Sequence, residues 1–346
     1  MNQQSLTELT ERRKRILRLV IQEYVCSATP VASETLVKKY DLGVSSATVR
    51  NELAALEEQG LLTHPHTSAG RVPTDLGYRF FVESLMTWSP LPSEERRMIR
   101  HQFYQVRTDM DEWTRLAATA LARLAGSAAM VTPARAPSPR FKHIELLSVS
   151  ETRVLMVLIL RDGTIRQHIL TLNEAIQQEE LRQMTNRLNN RLANFAAAQI
   201  ANLRYEDWST LEKQVLSLIG STMQNLDRWE WEEIVHDGVL QALSQPEFAE
   251  LERAHHFLEI INQGAILSEL LSSALDQSGI QIIIGGESQR EELRHYSMVV
   301  SRYGLTGRME GALGILGPTR MPYPRSVSAV HFIARMMSEI LGEIPE

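Results

Sequence analysis

An arginine and an asparagine stand side by side at positions 50 and 51, inside the segment SSATVRNELAALEEQGLL. A guanidinium forks onto O6 and N7 of guanine, and a carboxamide onto N6 and N7 of adenine. The pair therefore suits the reading of base edges in a DNA major groove. Its neighbours Ser46, Ala47 and Thr48 are small, which lets the backbone that carries them sit deep in a groove. A second group, His66, Thr67, Ser68 and Arg71, supplies imidazole, hydroxyl and guanidinium donors suited to phosphates or to a minor groove. Arg12, Arg13 and Lys14 lead a third group, joined by Arg15 and Arg18, whose charge suits phosphate.

The elements that must hold these groups follow from local signals. Ser33 can cap a short helix ending near Tyr40, and Asp41-Leu42-Gly43 makes a turn. Ser45 caps a second helix that runs to about Gln59, with Gly60 as its stop. On it Val49, Leu53 and Leu56 form one inward stripe at i, i+4 and i+7, opposite the face that carries Arg50 and Asn51. Leu61 to His64 and Arg71 to Pro73 predict two short strands around a tip that includes Pro65, Ser68, Ala69 and Gly70. Gly70 is expected to supply an unusual backbone angle there. The arrangement is a winged helix-turn-helix, a DNA-reading device. Its alternative is a small helical domain whose polar face meets water. The basic group opens a first helix that Thr10 can cap. Cations there oppose the helix macrodipole, so a phosphate partner or plain solvation must favour them.

The whole-chain charge of −6 gives no sign of a nucleic-acid binder. Residues 1–88 hold ten Lys/Arg and ten Asp/Glu, so any basic footprint is local. Cys26 is the chain's one cysteine, which excludes an internal disulfide and a multi-Cys zinc site, and reads as a small packing residue. The first fifteen residues lack the apolar run of a signal peptide. The longest apolar stretch, Val154 to Leu160, has strand length, so no membrane span is expected and the cytoplasm is the expected compartment.

Beyond residue 88 the chain divides by pattern. Residues 89–93, Ser-Pro-Leu-Pro-Ser, read as a linker. A long helix follows, with Ile99, Phe103, Val106, Met110, Trp113, Ala117, Ala120 and Leu124 recurring as a heptad seam, packed within its own domain or shared with a second subunit. Pro133, Pro137 and Pro139 mark a loop before three β runs, Lys142 to Val149, Arg153 to Leu160 and Ile165 to Leu172. Helical patterns fill 174–276. Strands resume at Gly279 to Ile284, near Tyr296 to Val300 and at Gly311 to Leu316, before a last helix from about Arg325 to Leu341. Sheet, helices and sheet again is the order that a helical insertion into one α/β domain produces.

No convergent catalytic set emerges, and the chain reads as a non-enzyme without cofactor or metal. His64-Pro65-His66 lacks a third ligand. His255 and His256 are adjacent and diverge on a helix. Gly285-Gly286 lacks the lysine and spacing of a P-loop and reads as a tight turn. Glu230, Glu232, Glu233 and Asp237 read as a solvated helix face. Gly311, Gly314, Gly317 and Pro318 suit tight β-turns or the lip of a pocket.

The strings SSATVRNELAALEEQGLL and HPHTSAGRVPTDLGYRFFV resemble the N-terminal domain of the HrcA family, bacterial heat-inducible transcription repressors. GALGILGPTRMPYPRSVSAVHFIA resembles the same family's C-terminal signature, so the motifs bracket residues 6–341. The resemblance implies a multidomain α+β protein: a winged helix-turn-helix over 1–88, then a GAF-like α/β domain over 94–346, interrupted by a dimerising helical insertion over 174–276. It implies a homodimer on double-stranded DNA, at an inverted-repeat operator upstream of chaperonin and Hsp70-type chaperone genes, with the chaperonin as the partner that maintains activity. The competing expectation is a winged-helix regulator whose GAF-like domain senses a small metabolite.

Overall fold

The computed structural model of the chain describes residues 9–65, 70–88, 90–106, 109–135, 139–172, 174–203, 208–226, 234–264, 266–268, 270–271, 279–288, 290–305 and 308–342. Chain contacts group residues 1–133, 230–304 and 311–346 into one unit and residues 134–229 and 305–310 into another.

The first unit opens with three helices, α1 (Glu11–Ser27), α2 (Ser33–Lys39) and α3 (Ser46–Glu58). Thr10 caps α1 by accepting from the Arg13 amide, and Ser45 caps α3 by accepting from the Thr48 amide at 3.2 Å. Gly60 lies at φ 73, as a stop after α3 requires. Ser33 is not a cap: Ala32 flanks α2, and the Ser33 hydroxyl lies 3.0 Å from that of Ser46. Ile16, Leu17, Val20, Leu36, Val49, Leu53 and Leu56 bury their side chains in a common core. The wing strands β1 (Leu62–Thr63) and β2 (Val72–Pro73) pair antiparallel, and Val31 bridges to Arg71 beside them.

Gly70 serves a different purpose from the one expected. Its φ is not positive, but a Cβ there would lie 2.5 Å from the Val31 carbonyl carbon and 2.7 Å from that of Pro30. The wing is thus seated backbone against backbone on the segment before α2. Gly70→Val should cost on the order of 1–3 kcal/mol of stability in addition to operator affinity, because the obstructing atoms are main chain and cannot rotate away. Thermal denaturation beside a gel-shift titration checks this. An unchanged melting temperature would mean that the wing is not seated in this way.

After the short helix α4 (Asp75–Phe80), whose run continues as a π-helical turn over Phe81–Leu85, the expected long helix is in fact two, α5 (Ser93–Gln105) and α6 (Met110–Ala125). Asp109 explains the restart: its carboxylate accepts from the amides of Asp111 and Glu112 and caps α6. Ile99, Phe103, Trp113, Ala117, Ala120 and Leu124 of the seam are all buried, so one period is spent on two helices. The unit's five-stranded sheet has the order β7-β3-β10-β9-β8, from β3 (Ala128–Val131), β7 (Val235–Asp237), β8 (Ile280–Ile284), β9 (Tyr296–Leu305) and β10 (Met309–Pro318). Helix α6 and the C-terminal helix α12 (Tyr323–Gly342) pack on each other, α6 also on β3 and α12 on β8. Gly311, Gly314 and Gly317 lie within β10 and make neither turns nor a lip. A Cβ on Gly311 would strike the Tyr303 ring at 2.5 Å and one on Gly314 would strike Val300 at 2.5 Å, so they permit close strand approach.

The second unit carries its own sheet. Strands β4 (Phe141–Ser150), β5 (Arg153–Leu160) and β6 (Ile165–Thr171) form an antiparallel meander, separate from the five-stranded sheet. Helices α7 (Gln178–Leu192), α8 (Ala197–Ala201) and α9 (Thr210–Leu226) belong to the same unit. Ile144, Leu146, Met156 and Leu158 bury their side chains in one core with Leu181, Leu188, Val215 and Ile219. The three β runs therefore group with these helices, where the sequence pattern had set the start of the insertion at 174. Helices α10 (Val239–Leu243) and α11 (Leu251–Asn262) belong to the first unit.

Candidate nucleic-acid interface

The buried stripe of α3 turns its opposite side outward, and Ala47, Arg50 and Asn51 are all exposed there. Among the described residues Arg50 and Asn51 meet no ion-pair or hydrogen-bond partner through their side chains, so both heads are available to a ligand. Thr48 and Ser46 are half-buried and serve the start of the helix. Their hydroxyls lie 3.0 Å from those of Ser45 and Ser33. His66, Thr67 and Ser68 lie outside the described residues.

The basic group of α1 is largely engaged within the protein. Arg13 Nε donates to Glu52 at 2.8 Å, and the Arg12 guanidinium lies 3.7 Å from the same carboxylate. Lys14 pairs with Glu11 at 2.8 Å, and Arg15 donates to the Asp41 carbonyl. These partners answer the macrodipole problem: carboxylates, not DNA alone, favour the cations at this helix start. At the other end of α3, Glu57 accepts from Arg71 at 2.7 Å and contacts His64. Arg71 thus braces the wing to α3. Glu52 and Glu57 were missed as site residues. The available signal was physical: carboxylates on a helix meant to approach phosphate are repulsive unless a cation consumes them.

A further tie holds α1 to α2. Glu23 is buried, and Lys39 and the Tyr40 hydroxyl both donate to it. The Lys39 hydrogen bond keeps its carboxyl below the ordinary glutamate range despite burial. A carboxyl depressed on folding contributes stability that is complete above its unfolded pKa and is lost as pH falls through the folded value. Glu23→Gln should therefore flatten the acid limb of stability against pH, and it should also alter the basic limb, because the same carboxylate raises the Lys39 ammonium above its ordinary value; pH-resolved thermal melts would read both. Nearby Cys26 is exposed, not packed as the sequence reading had it.

The remaining polar motifs resolve into local structure. His255 lies near Glu259, and the His256 ring is 3.2 Å from the Tyr296 hydroxyl. Asp237 sits on a strand and accepts from Thr119, while 230–233 lie outside the described residues. The Gly285-Gly286 turn does hold an anion, the Asp75 carboxylate, at 2.8 Å from the Gly286 amide. No helix among the described residues is long and apolar enough to cross a membrane.

Comparison with known proteins agrees with this geometry. A DeoR-like helix-turn-helix domain matches residues 12–74, and the HrcA protein C terminal domain matches residues 111–327. A protein of Roseiflexus castenholzii named heat-inducible transcription repressor HrcA is 50% identical over 345 residues, covering 98% of this chain and 96% of its own. One of the same name from Herpetosiphon aurantiacus is 49% identical over 343 residues, 97% of this chain and 96% of its own. A solved structure titled as that of a hypothetical protein shares the fold, with a TM-score of 0.57 at 22% identity over 97% of this chain and 98% of that one. With a helix-turn-helix at its head and relatives at half identity along its whole length, the chain belongs to the HrcA family of heat-inducible transcription repressors.

Proposed function

We infer that the protein represses heat-shock chaperone genes, chaperonin and Hsp70-type, by binding an inverted-repeat operator as a homodimer whose activity the chaperonin maintains. The observation that carries the DNA reading is the exposed Arg50-Asn51 pair, without side-chain partners among the described residues, on a face of small residues, because burying two such heads requires hydrogen-bond partners and base edges supply them to both. Arg12, more than half exposed, is the best phosphate contact of its group, with Arg13 and Lys14 following if DNA displaces their carboxylates. Arg71, His66, Thr67 and Ser68 serve the wing.

The dimer is supported by the second unit. Helices α7 and α9 spend their apolar stripes on one face of the meander. The other face aligns Leu147, Leu155 and Ile169 in one row and Ile159 and Ile165 in another, with Ile169 65% exposed. Glu145 and Gln167 flank Val157 in the row between them; two exposed apolar rows on that face call for cover, and a second copy offers an identical face about a two-fold axis that matches a palindrome. The unit 134–229 is thus our candidate for the dimerising insertion, and the sheet with α6 and α12 supports a GAF-like domain around it. Titrating purified protein onto DNA upstream of the chaperonin genes, with and without chaperonin, tests the whole reading. It predicts saturable binding as a dimer and a larger active fraction with chaperonin; no preference over random DNA would refute it.

One observation favours metabolite sensing as the second reading. A cleft of about 1050 Å³ in the first unit is lined by Tyr24, Tyr78, Arg253, His256, Arg294 and Tyr296. Operator binding that responds to a metabolite extract and not to chaperonin would select it.

A further inference from the structure

We propose that α4 and Arg320 set the half-site spacing that the repressor accepts, by locking the reading head to the sheet domain of the same unit. The proposal rests on the homodimeric, inverted-repeat reading above. Helix α4 directly follows the wing and carries two opposite charges one turn apart. The Asp75 carboxylate accepts from the Gly286 amide at 2.8 Å, and a Cβ at Gly285 would come within 2.7 Å of it. Arg79 holds both oxygens of Glu287 and donates to the Ile282 carbonyl at 2.7 Å. Glu287 is itself fixed, accepting from the Ile284 amide at 2.9 Å. An acid of the head sits on backbone of the turn after β8, and a base of the head sits on an acid of that turn. Sliding or rotating α4 breaks both contacts at once.

A second lock lies apart from the first in sequence. Arg320, after β10, donates to the Val25 carbonyl near the end of α1 and holds Glu247 with its other nitrogens. Between the two, the Tyr78 ring packs 5.6 Å from that of Tyr323. Without these ties the head would hang on residues 86–92 and could swing. Two linked readers gain avidity only when their separation matches the span of the sites. A locked head makes that match narrow, and a swinging head makes it broad.

The test uses full-length wild-type protein and, in an Arg320→Ala background that removes the second lock, Arg79→Glu, Asp75→Asn, Glu287→Gln and the charge exchange Arg79→Glu with Glu287→Arg. Each is titrated onto a single half-site, the operator, and an operator whose spacer is longer by about half a helical turn, roughly five base pairs. Wild type should lose about a hundredfold on the lengthened spacer. The single variants should lose less than about tenfold while binding the half-site like wild type, and the charge exchange should restore part of the difference, since the Ile282 carbonyl and the Ile284 amide keep their polarity. Half-site binding also reports that each variant is folded. Half-site-competent variants that keep the wild-type spacing ratio overturn the proposal alone. A wild-type protein that gains equally on both spacings also overturns the proposal alone, whereas one that binds the operator no more tightly than the half-site overturns the inverted-repeat reading and this proposal with it.

Discussion

Aspartate at Leu147 and Ile169 should yield a folded monomer that binds the inverted repeat at least about a hundredfold more weakly than wild type. Both side chains are exposed on the outer face of the β4–β6 meander, so the change opens no cavity in the core built by Ile144, Leu146, Met156 and the helices. In a dimer made by that face, each aspartate is repeated by symmetry and brings like charges into an apolar contact, at a cost of several kcal/mol. Binding to one half-site should be unchanged. Sedimentation gives the mass and gel shifts the two affinities; a dimer that survives both aspartates would move the interface elsewhere. The helical stretch 174–276, expected from sequence to supply the interface, contributes buried stripes through α7 and α9.

Arg50→Ala and Asn51→Ala should each remove roughly 1–3 kcal/mol of discrimination between the operator and a base-substituted copy. In a symmetric dimer each substitution acts twice, so the loss on the full operator can approach double that in one half-site. Arg12→Ala should instead weaken all sequences about equally and reduce the salt slope by about one. Arg13→Ala differs again, because it leaves the Glu52 carboxylate of α3 with only the longer Arg12 pair to offset it near phosphate. Affinity on matched and mismatched DNA at several salt concentrations separates the three behaviours. Full discrimination in both α3 variants would remove that helix from the groove.

Much of the reading head was legible because its signals are local. Ser45 and Gly60 bound α3 by satisfying or stopping groups a few residues away, and the stripe Val49, Leu53, Leu56 follows from helical period alone. What escaped was long-range. The heptad seam kept its period across the gap between α5 and α6, so periodicity could not reveal the break that Asp109 marks. Glu52 meets Arg13 from 39 positions away, and Asp75 meets Gly286 from 211; only the assembled fold brings them together. Strand runs do not say which sheet they join, and β4–β6 formed their own. One clue was present in Val154 to Leu160. A strand apolar at every position asks for cover on both faces, and α7 and α9 provide it on only one.

The most direct test of the account is a footprint of the purified protein on DNA upstream of the chaperonin genes in the source genome. Two equally protected half-sites related by two-fold symmetry are predicted, with guanine N7 protected in each half and exposed again in the Arg50→Ala protein. Protection that is absent, confined to one half, or identical in the Arg50→Ala protein would contradict it.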